Sequence, residues 1–104
     1  MTVRILSPAV DEIAEAALWY EAQRAGLGKE FWRAVDDVLS QIEINPRQFT
    51  KSEFATPELD FRAAMVSRFK YVVHYLVESQ ECQIVAVAHA ARQPGYWLAR
   101  AKKN

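Results

Sequence analysis

The spacing of hydrophobic residues changes once along this chain, and that change constrains the fold more than any other feature. From Ala9 to Ile42 apolar side chains recur at helical spacing, and from Arg47 onward they alternate with a period of two. Helices followed by strands with short connections predict an α+β fold in which an antiparallel helical hairpin covers one sheet face. We therefore expect one two-layer domain, residues 1–104, with an N-terminal strand, the hairpin and a 3–4-stranded antiparallel sheet.

Local signals divide the helical half into a strand and two helices. Thr2 to Leu6 is predicted to be a short strand, and Ser7 to be the N-cap of a helix with Pro8 at its first position. Glycines 26 and 28 separate this helix from a second one, which ends at Asn45-Pro46. The two apolar stripes are Ala9, Ile13, Ala16, Ala17 and Tyr20, and then Leu27, Phe31, Val35, Val38, Leu39 and Ile42.

The second half predicts a meander of three strands. Residues 59–65 alternate, and in Phe69–Val77 one face carries Tyr71, Val73, Tyr75 and Val77. In residues 83–89, alternation places Ile84, Ala86 and Ala88 opposite Val85 and Val87. A possible short strand lies within the polar stretch 47–58, and residues 94–101 are expected to form a short helix or turn.

Charge and composition exclude several classes of function. The 13 basic and 13 acidic residues balance, whereas a protein that grips nucleic acid through many phosphates usually carries a basic excess. After Glu81 every charged residue is basic, and these residues are Arg92, Arg100, Lys102 and Lys103. The chain has one cysteine, no apolar run of membrane-spanning length and no metal-binding or phosphate-loop motif. We expect a cytoplasmic protein without a cofactor, a metal or a membrane partner.

The last predicted strand leads into the strongest candidate site. His89, Arg92 and Tyr96 place an imidazole, a guanidinium and a phenol close together just past a strand end, where they could contact a target or act in catalysis. The alternatives are a structural histidine and an ion-paired arginine. Trp97 is a candidate partner contact, although it could equally seal the C-terminus onto the sheet.

Two further groups are candidate partner contacts. Arg62, Arg68 and Lys70 cluster around a strand turn and could form a cationic rim, or could simply be solvated. Trp19 and Trp32 fall beside the apolar stripes of the two helices. Exposed there, they would build an apolar patch of the kind that marks a partner site.

Taken in order, the motifs of this chain resemble those of the RelE/ParE toxin superfamily of bacterial type II toxin–antitoxin systems. The resemblance covers nearly the whole chain and implies the fold predicted above. It rests on residues 7–13 with Tyr20-Glu21, on Gly26–Phe31, on Ile44-Asn45-Pro46, on Phe69–Tyr75 and on His89–Trp97.

The resemblance implies a toxin, and its two branches imply different targets. RelE-like members cut mRNA on the ribosome, whereas ParE-like members poison DNA gyrase. Val72 and Ala90 stand at the two positions where the RelE-like branch has arginines. We therefore expect a ParE-like inhibitor without turnover of its own, bound in a hetero-oligomer by the C-terminal segment of a cognate antitoxin. The alternatives are a ribosome-dependent endoribonuclease and a non-toxic module that only binds the antitoxin.

Overall fold

Two long helices and a five-stranded sheet build the molecule. The computed structural model describes residues 1–101, so Lys102 and Lys103 of the basic C-terminus lie outside the described residues. The α+β class and the helical pair are confirmed. The elements are β1 (Thr2–Ile5), α1 (Ser7–Gln23), α2 (Leu27–Ile44), β2 (Thr50–Lys51), β3 (Asp60–Met65), β4 (Tyr71–Val77), β5 (Glu81–His89) and α3 (Leu98–Ala101).

The sheet has the strand order β1-β5-β4-β3-β2. The meander β3-β4-β5 is antiparallel as predicted, and β2 adds two residues antiparallel to β3. The N-terminal strand β1 runs parallel to β5 and pairs with residues 81–84. The sheet therefore exceeds the predicted three to four strands, because both short segments dock onto its edges.

The predicted helical stripes face the sheet. α1 buries Ala9, Ile13, Ala16 and Ala17, and α2 buries Phe31, Val35, Val38 and Ile42. They pack on a sheet face that includes Val73, Tyr75, Val77 and Ile84. Burial of these apolar side chains is the main favourable contribution to folding.

The start of α1 differs from the prediction by one residue. Leu6 occupies the N-cap position with extended backbone, and its carbonyl accepts the amides of Ala9 at 2.9 Å and Val10 at 3.1 Å. Ser7 therefore lies in the first turn, and the prediction that it is the N-cap is wrong. The reason is tertiary: the Leu6 N–H donates to the Ile84 carbonyl at 3.1 Å, which holds Leu6 extended beside β5.

A β-bulge interrupts the predicted alternation of β5. His74 pairs with Ala86 but Tyr75 pairs with Ile84, so Val85 is an additional residue between them. Val85 and Ala86 consequently both lie in the cluster on the sheet face away from the helices, whereas Ile84 and Val87 lie under the helices. The prediction that Ala86 shares a face with Ile84 is wrong for this reason.

A thin second covering closes the sheet face away from the helices. Its core consists of Phe61, Leu76, Val85, Ala86 and Trp97. Side chains from residues 54–59 and from residues 96–101 pack around it. Residues 96–101 therefore contribute to the core of the fold as well as to the candidate site.

Candidate functional site

His89, Arg92 and Tyr96 lie together where β5 ends. The Arg92 guanidinium carbon is 3.9 Å from the centroid of the Tyr96 ring, a cation–π contact. His89 shapes the intervening turn: its Nδ1 accepts the Ala91 N–H at 3.0 Å, and its carbonyl accepts the Arg92 N–H at 2.9 Å. His89 and Arg92 are exposed and Tyr96 is half-buried. The turn therefore presents a cation that is supported by an aromatic ring.

Glu12 of α1 joins this turn to the rest of the molecule. Its carboxylate accepts hydrogen bonds from the Tyr96 hydroxyl, from the Val87 N–H at 2.9 Å and from the Arg100 guanidinium at 3.0 and 3.1 Å. Burial, followed by the hydrogen bond to Glu12, raises the pKa of Tyr96 to about 12. Tyr96 is therefore a neutral hydrogen-bond donor at physiological pH.

Glu12 and Arg100 belong to the site but are not among the residues predicted from the sequence. A signal for Glu12 was present, because it lies three residues after Ala9 and four before Ala16 and thus borders the buried stripe of α1. An acid there is predicted to face the sheet. Arg100 carried no such local signal, since its partners lie 88 and 15 residues away along the chain.

Two adjoining clefts open beside this turn. One, of about 250 Å³, lies between α1 and the end of β5, and its lining includes Glu12, Trp19, His89 and Arg92. The other, of about 460 Å³, is lined by Trp19, Tyr20, Arg68, Lys70, Tyr71 and His89. Aromatic rings and cationic groups therefore alternate around one end of the sheet.

The proposed cationic rim is only partly present. Arg68 and Lys70 are exposed, and Arg68 Nη2 lies 2.7 Å from Glu30 Oε1. That hydrogen bond is the main reason that the pKa of Glu30 is lowered. Arg68 and Lys70 thus line the larger cleft as predicted.

Arg62 is not part of the rim. It is 9% exposed, and its guanidinium bonds the Asp60 carboxylate at 3.0 Å and the carbonyls of Arg47 and Phe49 at 3.1 and 2.8 Å. The prediction that Arg62 contacts a partner is corrected: its donors already satisfy backbone carbonyls that precede β2. Arg62 fastens that segment to β3.

The three tryptophans divide into two surface residues and one core residue. Trp19 is 59% exposed and Trp32 is 44% exposed, as predicted from their positions beside the stripes. Trp97 is 1% exposed and packs against Phe54, Phe61 and His74. The prediction that Trp97 contacts a partner is therefore wrong, because the covering on the second sheet face encloses it.

Trp32 lines an apolar groove on the outer side of the helical hairpin. The groove measures about 650 Å³, and Leu18, with 72% of its surface exposed, lines it as well. Leu18 and Trp32 thus form an exposed apolar patch, and we call these two residues the hairpin patch. Trp19 does not line this groove but the two clefts at the end of the sheet, so the patch predicted for Trp19 and Trp32 together is present only in part.

A small cavity of about 110 Å³ lies behind the candidate turn. Its lining includes Val72, His74, Ala90 and Arg92. Val72 and Ala90, the residues that the resemblance aligns with the arginines of the RelE-like branch, thus both line this cavity. Burial lowers the pKa of His74, which favours its neutral form.

Residues 1–101 contain no group of three His, Cys, Asp or Glu side chains placed to hold a metal ion. None of the helices within them combines the length and the apolar character needed to cross a bilayer.

The fold is the one that the RelE/ParE resemblance implies, and comparison with known proteins supports that class. The family described as "ParE toxin of type II toxin-antitoxin system, parDE" matches residues 3–94. A solved structure entitled "Chromosomal ParDE TA system from P. aeruginosa" shares the fold, with a TM-score of 0.62 and 16% identity over 86% of this chain and 95% of that chain. No significantly similar sequence was found among curated proteins. Since the family match spans most of the chain, this protein belongs to the ParE toxin family.

Proposed function

We propose that this protein is a toxin that inhibits DNA gyrase in the cytoplasm and arrests growth until a cognate antitoxin binds it. The family match supports the toxin role. The Arg92–Tyr96 pair is the main support for a protein target. In this pair an exposed cation lies over an aromatic ring at the end of the sheet.

The Arg92–Tyr96 pair has the properties of a protein-binding contact. Arginine and tyrosine are enriched among the residues that dominate binding energy at protein interfaces. The ring beneath the guanidinium limits its freedom, so less conformational entropy is lost when a partner binds. His89 and the neighbouring clefts extend the same surface. We propose that Arg92, Tyr96 and His89 contact gyrase.

The composition of the small cavity favours an inhibitor over a ribonuclease. Cleavage of RNA requires a general base and cations at the phosphate where charge develops. Val72 and Ala90 offer neither, and the His74 ring is stacked on Trp97 with its Nδ1 buried. Among the described residues that line the cavity, Arg92 is the only arginine or lysine, so one such cation would face a phosphate there.

The hairpin patch fits the antitoxin. A C-terminal antitoxin segment that folds as it binds would gain affinity by burying apolar side chains in the groove between the helices. Leu18 and Trp32 supply such a surface on the outer face of the hairpin, and Trp19 offers a further exposed ring at the clefts. Arg68 and Lys70, at the adjacent cleft, could pair with acidic residues of the same segment.

A supercoiling assay with purified gyrase tests the proposal directly. We expect the wild-type protein to inhibit supercoiling and Arg92→Gln to be at least about tenfold weaker, since loss of one hot-spot side chain costs 1.4 kcal/mol or more. Arg33→Gln is the matched control, because Arg33 is also exposed but lies on α2.

Three outcomes would contradict the proposal. Ribosome-dependent cleavage of mRNA without any effect on gyrase would replace it with the endoribonuclease function. Normal growth of bacteria that express the protein alone would instead indicate a non-toxic module that binds the antitoxin. Equal inhibition by Arg92→Gln and Arg33→Gln would remove Arg92 from the contact surface.

A further inference from the structure

We infer that Glu12 is the positioning residue of the contact surface: its carboxylate holds Tyr96 in place, and Tyr96 in turn sets the orientation of Arg92. This inference rests on the proposed function for the role of Arg92, and it extends that function to a residue on a different element. Glu12 lies on α1, whereas Arg92 and Tyr96 follow β5.

Several hydrogen-bond donors converge on the Glu12 carboxylate. Three donors from two parts of the chain meet its carboxylate: the Val87 amide, the Tyr96 hydroxyl and the Arg100 guanidinium, which contributes two of the four hydrogen bonds. The Glu12 side chain is only 14% exposed. An ionised carboxylate has enough acceptor sites for all of these donors, whereas an amide has one acceptor oxygen and would turn its own donors toward the others.

The contacts of Glu12 also cover one edge of β5. β1 pairs with β5 only along residues 81–84, so within residues 1–101 the rest of this edge has no neighbouring strand. Glu12 accepts the Val87 amide on this edge, and Arg100 donates to the Val85 carbonyl at 3.0 Å. The Glu12–Arg100 pair thus takes the place of a strand, and it ties the terminal segment to the edge.

Tyr96 connects the Glu12–Arg100 pair to the surface. Tyr96 donates its hydroxyl to Glu12, and its ring lies beneath Arg92 at 3.9 Å and near Arg100 at 5.1 Å. Arg92 itself is exposed and follows the β5 end by three residues. Its position therefore depends on a ring whose far end is fixed from α1. If Glu12 lost its charge, the ring would lose its anchor and Arg92 its support.

The test compares Glu12→Gln with Asp11→Asn. Both variants replace a carboxylate on α1 with an amide of the same shape, but Asp11 is exposed and lines neither of the two clefts. The primary measurement is the proton NMR shift of the Arg92 side chain, which the current of the Tyr96 ring displaces upfield while the two are stacked. The second measurement is the concentration of each variant that half-inhibits gyrase, and denaturant unfolding gives the stability of each.

We expect Glu12→Gln, while still folded, to lose most of the upfield shift and to inhibit gyrase about tenfold less well. Asp11→Asn should match the wild type in both measurements. A purely structural role for Glu12 would lower the unfolding midpoint while leaving the Arg92 shift of the folded protein unchanged, and that result would overturn the inference. Equal gyrase inhibition by the two variants would overturn it as well.

If Glu12→Gln does not fold, Tyr96→Phe tests the same inference. It removes only the hydroxyl that reaches Glu12, so the Glu12–Arg100 and Glu12–Val87 contacts persist. A reduced upfield shift in this variant supports the inference, and an unchanged shift overturns it. If the wild-type protein has no effect on gyrase, the proposed function fails, and the NMR shift alone then decides the role of Glu12.

Discussion

His74 and Trp97 stack face to face in the interior, with ring centroids 4.8 Å apart and planes inclined by 26°. His74 comes from the middle of β4, and Trp97 comes from the terminal segment that covers the second sheet face. Within residues 1–101, His74 Nδ1 and Trp97 Nε1 are buried without a hydrogen-bond partner. An uncharged imidazole suits this stack, because a buried charge without a partner is costly.

This stack predicts that the protein loses stability in mild acid. Burial lowers the pKa of His74, while the Glu12 charge opposes the shift more weakly. A lowered pKa means that the unfolded state binds the proton more readily, so the free energy of unfolding is greatest above the unfolded-state pKa of about 6.5 and falls as the pH decreases below it. The slope from one proton cannot exceed about 1.4 kcal/mol per pH unit. Urea unfolding between pH 7.5 and pH 5 measures it, and a His74→Phe variant with the same slope as the wild type would contradict the assignment.

Trp97→Ala is expected to destabilise the fold strongly. Truncating a buried tryptophan removes apolar contacts and leaves a cavity, which typically costs about 3–5 kcal/mol. Trp19→Ala is the matched control, and we expect it to change the free energy of unfolding by no more than about 0.5 kcal/mol, because Trp19 is largely exposed. Chemical denaturation of both variants checks the contrast. A small loss in Trp97→Ala would mean that the terminal segment contributes little to the core.

Trp19→Ala and Trp32→Ala are expected to weaken antitoxin binding more than folding. Truncation of Trp32 in the hairpin patch, or of Trp19 at the clefts, should raise the dissociation constant for the antitoxin about tenfold or more. Val10→Ala provides the control, because Val10 is also an exposed apolar residue of α1 and lines neither the groove nor the two clefts. Calorimetric titration with the antitoxin measures the change. Affinities that match the control would place the antitoxin on another surface.

Gly28→Ala and Gly26→Ala are expected to destabilise the hairpin for different reasons. A Cβ at residue 28 would lie 2.6 Å from the Ala17 carbonyl oxygen, so α1 and α2 would have to separate, at a cost of about 1–3 kcal/mol. A Cβ at residue 26 meets nothing within 4 Å, but the φ of +90° there is strained for alanine, at about 1–2 kcal/mol. Thermal unfolding gives both values. Since only the first change alters packing, a crystal structure of Gly28→Ala with an unchanged interhelical distance would contradict this explanation.

Much of this fold follows from local sequence patterns. The helical and strand periods, Gly26 before α2 and Asn45-Pro46 after it predicted the long elements close to their observed bounds. These signals suffice because an amphipathic element must turn its apolar face to the core, whatever partner it finds there. The exposed positions of Trp19, Trp32, His89 and Arg92 also follow from where they fall on those elements.

Other features depended on residues that are distant in the chain. Tertiary structure decided the bulge at Val85, the burial of Trp97, the structural role of Arg62 and the convergence of Tyr96 and Arg100 on Glu12. The partners of Glu12 lie 75 to 88 residues away, and no periodic pattern encodes which donor reaches a carboxylate across that distance. The sequence by itself determined which faces are apolar and where the elements end. Packing decided which polar groups meet, because a hydrogen bond requires its donor and acceptor within about 3 Å, and the arrangement of distant elements sets which groups come that close.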